Sequence, residues 1–472
     1  MTTDCTAQKF LFQAPGRREM VAAFDGGTIS SDGGAVLLQQ VDQKRRILEH
    51  FAECFQDARD PRQVEHTVEQ LLRQRIFALA LGYEDLNDHD ELRLDPLLAT
   101  VVGKRDPLGR NRRQDRDRGK ALAGKSTLNR LEWGCAEEVE GDRYRRIAVD
   151  GDAVDHFFVD RFLDAFEQPP KQIILDVDAT DDPLHGQQEG RFFHGYYGHY
   201  CYLPLYIFAG THLLCARLRR SNIDASAGTV DELRRIVARI RERWPRVKIL
   251  VRGDAGFARE ELMAWCEANA VGFVLGLARN PRLEKLLAPT MDRAFEVSSH
   301  TGKPARRFGE WQYSTLETWS RERRVIGKAE ITQRGENPRF IVTSLPASRN
   351  AARRVYEEIY CARGDMENRI KEQQLDLFAT RTPGRLMRVN QLRLWFSSVA
   401  YVLLNELRRL GLAGTRWAGA RPSTLRLRLL KIGARVRVTA RKIWVSMASG
   451  YPHAEWFAQV YEHLQRAGPC PA

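Results

Sequence analysis

No stretch of this sequence approaches the roughly 18 consecutive apolar residues that a membrane-spanning helix needs, which excludes a helical membrane protein. Its eight cysteines, at 5, 54, 135, 201, 215, 266, 361 and 470, form no CxxC pair and no regular spacing. That excludes a zinc ribbon and a disulfide scaffold, and fits reduced thiols in a cytoplasm. The first residues, MTTDCTAQKF, lack the charged-then-apolar layout of a secretion signal. There is no internal repeat and no low-complexity segment, so neither a solenoid nor a disordered tail is expected. What is present is a folded composition, 43% hydrophobic and 29% charged over 472 residues, enough for two to four domains. Lys and Arg number 74 against 61 acidic residues, a net charge of +13 that favours a polyanionic partner, nucleic acid first.

The chain opens with AAFDGGTISSDGGAVLLQQVD, where two Asp-Gly-Gly groups mark tight turns around a short extended segment before a helix. From 63 to 103, Val64, Val68, Leu71, Leu72 and Phe77 recur at helical spacing, and Asp88 with Glu91 has the form of a second helix start. His89 has no second ligand at metal spacing and is read as part of that start. Residues 104–125 hold nine Lys or Arg against three Asp, a basic arm in which Arg112 and Arg113 are candidates for phosphate contact. Within it GKALAGKS matches the phosphate-loop pattern by letter, but NRRQDRDR before it cannot be the buried strand such a loop requires. Ser126 or Thr127 is instead expected to cap a helix, and no nucleotide cofactor is expected.

Strands and helices alternate from 171 to 277, and helical periodicity is replaced from 279 to 350 by strand-like, arginine-rich segments. Helices resume at 351–375 and 386–411, and a basic tail follows that ends in a helix over 453–466. In IILDVDATDD, Asp176 and Asp178 share one face of an apolar strand because side chains alternate. Asp254 ends another strand in RGDAGF, with Arg252 beside it as either a phosphate ligand or a salt-bridge partner. The segment 360–374, YCARGDMENRIKEQQ, places Tyr360, Arg363, Glu367, Lys371 and Gln374 on one helical face. Carboxylates at strand ends and on an adjacent helix can converge on two divalent ions, and an all-oxygen set suits magnesium. RFFHGYYGHYCY, residues 191–202, is expected to be a core strand beside this site, with His194 and His199 short of a metal set.

DVDAT, RGDAGF and YCARGDMEN together resemble the DDE transposases of bacterial insertion sequences, which have a ribonuclease H-like catalytic core. The resemblance implies a triad of Asp178, Asp254 and Glu367. Asp178 is preferred to Asp176 as first ligand because it stands two residues before Thr180, though the pair is able to exchange roles. The signature of the cut-and-paste branch, Tyr, two residues, Arg, three residues, Glu, six residues, Lys, is kept at Tyr360, Arg363 and Glu367, with Gln374 at the lysine position and Lys371 one turn earlier. Asp254 and Glu367 are 113 positions apart (367 − 254), so a domain is inserted between them, similar to the β insertion of transposases that excise DNA through hairpinned ends. There Trp311 and Trp319 are candidates to hold a flipped base.

The expected architecture is α/β. It comprises a mainly helical DNA-binding and dimerisation region at 1–165, a ribonuclease H-like core at 166–278 and 351–411, a β-rich insertion at 279–350, and a basic region at 412–472. The resemblance implies binding of double-stranded DNA at terminal inverted repeats, cleavage with two Mg²⁺ ions or Mn²⁺ in their place, joining of 3′-OH ends to target DNA, and a homodimer acting at the nucleoid. A structure-specific nuclease of the same fold and a degenerate DNA-binding relative are the alternatives.

Overall fold

The computed structural model describes residues 8–13, 16–134 and 146–468. Cys5, Cys135 and Cys470 lie outside these, and the other five cysteines are free thiols. The described residues divide into two compact units, one formed by those up to Val149 together with those from Val399 onward, the other by Asp150–Ser398. No helix among the described residues is long and apolar enough to cross a membrane.

The first unit is mainly helical. Its Val68–Leu81 helix starts in a capping box in which the Thr67 hydroxyl accepts the Gln70 N–H and Gln70 reaches back to Thr67. It stops at Gly82, whose φ of 97° suits only glycine well. The Asp-Gly-Gly turn at 32–34 meets the Leu429–Gly433 segment from the far end of the sequence. The Gly33 and Gly34 N–H groups donate to the carbonyls of Ile432 and Leu430 at 2.8 and 3.0 Å. Lys431 Nζ lies 2.6 Å from the buried Asp32 carboxylate. A Cβ on Gly34 would sit 1.8 Å from the Leu429 carbonyl oxygen, so backbone contact here requires glycine.

Two helix starts lack the side-chain cap that the sequence leads one to expect. Asp88 precedes only the single turn His89–Leu92, and its carboxylate accepts the Asp85 N–H instead of capping. His89 is buried, with Nδ1 3.0 Å from Gln74 Nε2. The helix after the basic arm is Lys125–Glu132 with Gly124 as N-cap, so Ser126 and Thr127 lie inside its first turn. Gly124 has no side chain to offer, and the Asp90 carboxylate, from elsewhere in the chain, accepts the Lys125 N–H at 3.2 Å.

The second unit is built on one large mixed sheet. In spatial order its main strands are His212–Arg217, Leu205–Ala209, Gln172–Ala179, Lys248–Gly253, Gly272–Leu277, Arg339–Thr343, Arg323–Thr332 and Ala305–Tyr313. The first three in sequence pair antiparallel, and Lys248–Gly253 and Gly272–Leu277 run parallel to Gln172–Ala179. This is a ribonuclease H-like core. Ile173, Leu175 and Val177 alternate onto the face covered by the Thr229–Arg243 helix, which buries Val230, Leu233, Ile236, Val237 and Ile240. Each such aliphatic side chain contributes about 1.5–3 kcal/mol on burial.

Residues 279–350 depart from the strand-only expectation. Pro281–Thr301 is a 21-residue helix that starts on Asn280 and Pro281 and packs Leu283, Leu287, Met291 and Ala294 inward. The strands that follow are antiparallel as expected, but they extend the core sheet: Arg339–Thr343 pairs with Gly272–Leu277. Pairing there covers backbone donors and acceptors that an edge strand would leave open.

Candidate active site

The Gln172–Ala179 strand turns Asp176 and Asp178 away from its apolar face. Asp178 stands opposite Tyr206 on the neighbouring antiparallel strand, and Asp176 opposite Arg252 on the parallel one. Asp176 is buried and held by Arg252, with Nε 2.5 Å from Oδ1 and Nη2 2.7 Å from Oδ2. The same guanidinium donates to the carbonyls of Ile359 at 2.5 Å and Ala362 at 3.4 Å. The salt bridge expected as one role of Arg252 is present, made to the Asp176 carboxylate. The pair ties two core strands to the helical segment that carries Arg363 and Glu367.

Asp254 follows Gly253 at the end of its strand and caps a single turn, accepting the Gly256 N–H at 2.8 Å. The helical segment from Ala352 to Asp376 is irregular, with π turns at Val355–Tyr360 and Glu372–Asp376 around the regular Gly364–Lys371 helix. Such turns cluster at functional sites. Tyr360 packs against Gly276, where an added Cβ would meet its hydroxyl at 2.7 Å and the Ala255 N at 2.8 Å. Glycine at 276 thus admits the phenol beside the Asp254 turn. Arg363 lies 3.1 Å from Glu367 Oε1 and 3.8 Å from Asp178 Oδ1.

Electrostatics place these groups in one site. Burial pushes the Asp178 carboxyl up to about 7; Arg363 opposes that shift, and the negative charges of Asp254 and Glu367 add to it. Burial also raises the Tyr360 phenol, with Arg363 opposing and Asp254 adding. The Arg363 guanidinium is raised: burial opposes its charge, but Asp178, Tyr360, Asp254 and Glu367 outweigh that. Among the described residues no three acidic, histidine or cysteine side chains form a ready-made metal cage. The donor set nevertheless fits a hard divalent cation, being all carboxylate oxygen and carrying more negative charge than Arg363 offsets.

The structure brings Tyr360, Arg363 and Glu367 of the predicted stripe to Asp178 and Asp254. Gln374 donates from Nε2 to the Asp181 carbonyl at 3.0 Å. Lys371 is exposed and makes no hydrogen bond or ion pair among the described residues. Trp311 lies against Gly309 and Gly327. Trp319 packs edge-on to Tyr313, with Arg323 over its ring at 5.6 Å. Both tryptophans are packed against the sheet's core. Arg112 and Arg113 belong to the first unit and are internally engaged: Arg112 reaches Glu65 at 3.1 Å and His66 Nε2 at 2.9 Å, and Arg113 donates to the Arg62 carbonyl at 3.0 Å.

Residues 191–202 are no core strand. Phe192–His194 and His199–Tyr202 form a hairpin whose second strand also pairs with Asp182–Pro183. His199 Nε2 is 2.9 Å from Asp181 Oδ2. Sequence reasoning named Asp176 and Asp178 in IILDVDATDD but missed Asp181, for which the run of acids was the available signal. It missed Gly276 as well, and a glycine inside an apolar strand was the signal there.

A ribonuclease H-like sheet whose adjacent strand ends and neighbouring helix turn carboxylates toward one another is the architecture of a phosphoryl-transfer enzyme acting on nucleic acid. The chain belongs to a transposase family: the model for the transposase DDE domain group 1 matches residues 12–469. It is therefore a DDE transposase, an enzyme of DNA transposition, from a family that uses divalent metal ions. No curated protein matches it. Among solved structures it is similar to a piggyBac transposase synaptic complex with hairpin DNA determined by cryo-EM, at 10% identity and a TM-score of 0.41, covering 83% of this chain and 78% of that one.

Proposed function

We propose that the chain binds the terminal inverted repeats of its element, cleaves the phosphodiester at each end and joins the freed 3′-OH to target DNA. The observation that carries this reading is that Arg363 lies 3.8 Å from Asp178 and 3.1 Å from Glu367, with Asp254 at the neighbouring strand end adding its charge at Asp178. These three carboxylates would hold two Mg²⁺ ions, with Mn²⁺ able to replace them. Such a pair, when bound, supplies an activated water or 3′-hydroxyl and relieves charge on the leaving oxygen. Arg363 then exchanges its carboxylate partners for the scissile phosphate and neutralises it, and Lys371 adds charge from one turn further along the helix. The Tyr360 hydroxyl donates to a non-bridging phosphate oxygen and so orients it. Asp176 and Arg252 hold strand and helix in register beneath. Helical residues 50–150 and the basic tail recognise the ends, and two copies pair them.

Incubating the protein with a labelled element end and Mg²⁺ tests this: both cleaved ends and joined products are expected, and Glu367→Ala should yield neither. Cleavage without joining would make the protein a nuclease. Gln374 at the signature's lysine position favours one second reading, a weakened copy. Tight binding without cleavage by the wild type, unchanged in Glu367→Ala, would establish a degenerate DNA-binding protein.

A further inference from the structure

The hairpin at 191–202 leaves the core sheet beside the first catalytic strand. Its second strand runs through Leu203 and Pro204 into Leu205–Ala209, where Leu205 pairs with Ala179 and Tyr206 with Asp178. The Pro204 carbonyl accepts the Thr180 N–H at 3.3 Å. The hairpin's base is fixed: Tyr202 Oη donates to the Glu189 carbonyl at 2.6 Å and Ser221 Oγ to the Phe192 carbonyl at 2.9 Å. His199 is tied to Asp181, whose carbonyl accepts from Gln374 of the catalytic helical segment.

On this rigid base the aromatic residues are left open. Tyr196, at the tip, is 87% exposed and Phe193 58%, and Tyr200 is exposed too. Phe193 and Tyr200 meet edge-on at 5.7 Å, and Tyr196 and Tyr197 edge-on at 5.1 Å. Arg191 lies over the Tyr200 ring at 4.5 Å, adding a cation to the platform. The tip is a four-residue loop closed by the His194–His199 pair, with Gly198 at φ 74°. Burial raises the Tyr197 phenol, and the charges of Asp181 and then Asp178 add to that, which sets the loop on the Asp178 side of the hairpin. Water-exposed rings on a fixed ribbon gain when an apolar partner covers them, and a flat one makes the widest contact. A nucleobase has both properties, and the adjacent arginine suits the phosphate that accompanies it.

We infer that Tyr196, with Phe193 and Tyr200, stacks an unpaired nucleobase of the DNA strand next to the scissile phosphate. This rests on the proposed function, because it takes the strand that the catalytic carboxylates hold as the source of the base. Trp311 and Trp319 are half-buried against the sheet's core, whereas the hairpin rings are open for stacking.

The test uses the full chain and two probes of arbitrary sequence: a blunt 20-base-pair duplex, and the same duplex with a three-nucleotide unpaired 3′ extension carrying 2-aminopurine. The wild type should prefer the extended probe by about tenfold and quench its fluorescence, the order of one base–aromatic stack. Tyr196→Ala should lose both effects while binding the blunt duplex as before, and Tyr196→Trp should retain them. Since Tyr196 is almost fully exposed, its replacement leaves the fold intact, which circular dichroism verifies. Equal binding of the two probes by the wild type would overturn the stacking inference alone. So would an unchanged preference in the Phe193→Ala/Tyr196→Ala/Tyr200→Ala variant, or a change of oligomeric state in place of the lost preference. Failure of the wild type to bind either probe would remove the proposed function as well.

Discussion

Replacing Arg252 by Met cuts a buried brace. The substitution removes two charge-assisted hydrogen bonds to Asp176, at 2.5 and 2.7 Å, and the donor to the Ile359 carbonyl. Asp176, only 3% exposed, is left without its countercharge. Removing one partner of such a buried pair costs about 3–5 kcal/mol, whereas replacing both by apolar groups of similar volume is close to neutral. Arg252→Met should therefore lower the urea midpoint of the unit at 150–398 by an amount equivalent to several kcal/mol. Asp176→Leu/Arg252→Met should recover most of that loss. DNA cleavage should stay impaired in the double variant, because the carbonyls of Ile359 and Ala362 still lack the donor that sets the catalytic helical segment against the sheet. A cost below about 1 kcal/mol for Arg252→Met would refute the brace. Loss of cleavage in Asp176→Asn with an unchanged urea midpoint would instead make Asp176 a metal ligand.

Gly34→Ala should destabilise the first unit by about 1–3 kcal/mol or more, since the new Cβ meets backbone at 1.8 Å. Gly433→Ala, with open space around it, should not, and equal melting temperatures for the two variants would contradict the contact. Burial first, then neighbouring cations, hold the His66 and His89 imidazoles down at about 3. Their folded-state values lie below the unfolded one, so this stability is present above pH 6.5 and is lost as pH falls toward 3, at about 1.4 kcal/mol per histidine per pH unit. Urea midpoints at pH 7 and pH 5 measure it, and His66→Gln/His89→Gln should flatten the slope; an unchanged slope would contradict the assignment. Gln374→Lys keeps a donor for the Asp181 carbonyl and brings a cation to the stripe, so cleavage should rise roughly tenfold, the worth of about one charge-assisted hydrogen bond. A lower rate with unchanged stability would count against the stripe's reading.

Local periodicity carried the reading as far as residues close in sequence decide the outcome. Alternation in IILDVDA put Asp176 and Asp178 on one face, as observed, and the structure turns Ile173, Leu175 and Val177 the other way into the core. The Pro281–Thr301 helix escaped because charged residues dilute its apolar stripe and Pro289 reads as a breaker. Yet Asn280 and Pro281 are a helix start that was available. Contacts between distant segments were out of reach: nothing near Gly34 announces Leu429, and nothing near Gly276 announces Tyr360. Arg252 beside Asp254 was legible as a charge at the site, but its partner is fixed by strand register, which sets it opposite Asp176. The aromatic run at 191–202 reads as core by hydrophobicity alone. Only the four-residue turn and the pairing of both arms show that Phe193, Tyr196 and Tyr200 face water while Tyr202 is buried.

The central claim, that Asp178, Asp254 and Glu367 hold the divalent metal of a DNA-cleaving centre, is tested most directly by changing the ligand atom. Asp254→Cys puts a soft thiolate where a hard carboxylate stood, and Mn²⁺ accepts such a ligand more readily than Mg²⁺. The account predicts a folded variant that fails to cleave an element end in Mg²⁺ and regains cleavage in Mn²⁺. Wild-type cleavage by Asp254→Cys in Mg²⁺, or a folded variant that Mn²⁺ leaves inactive while it stimulates the wild type, would contradict it.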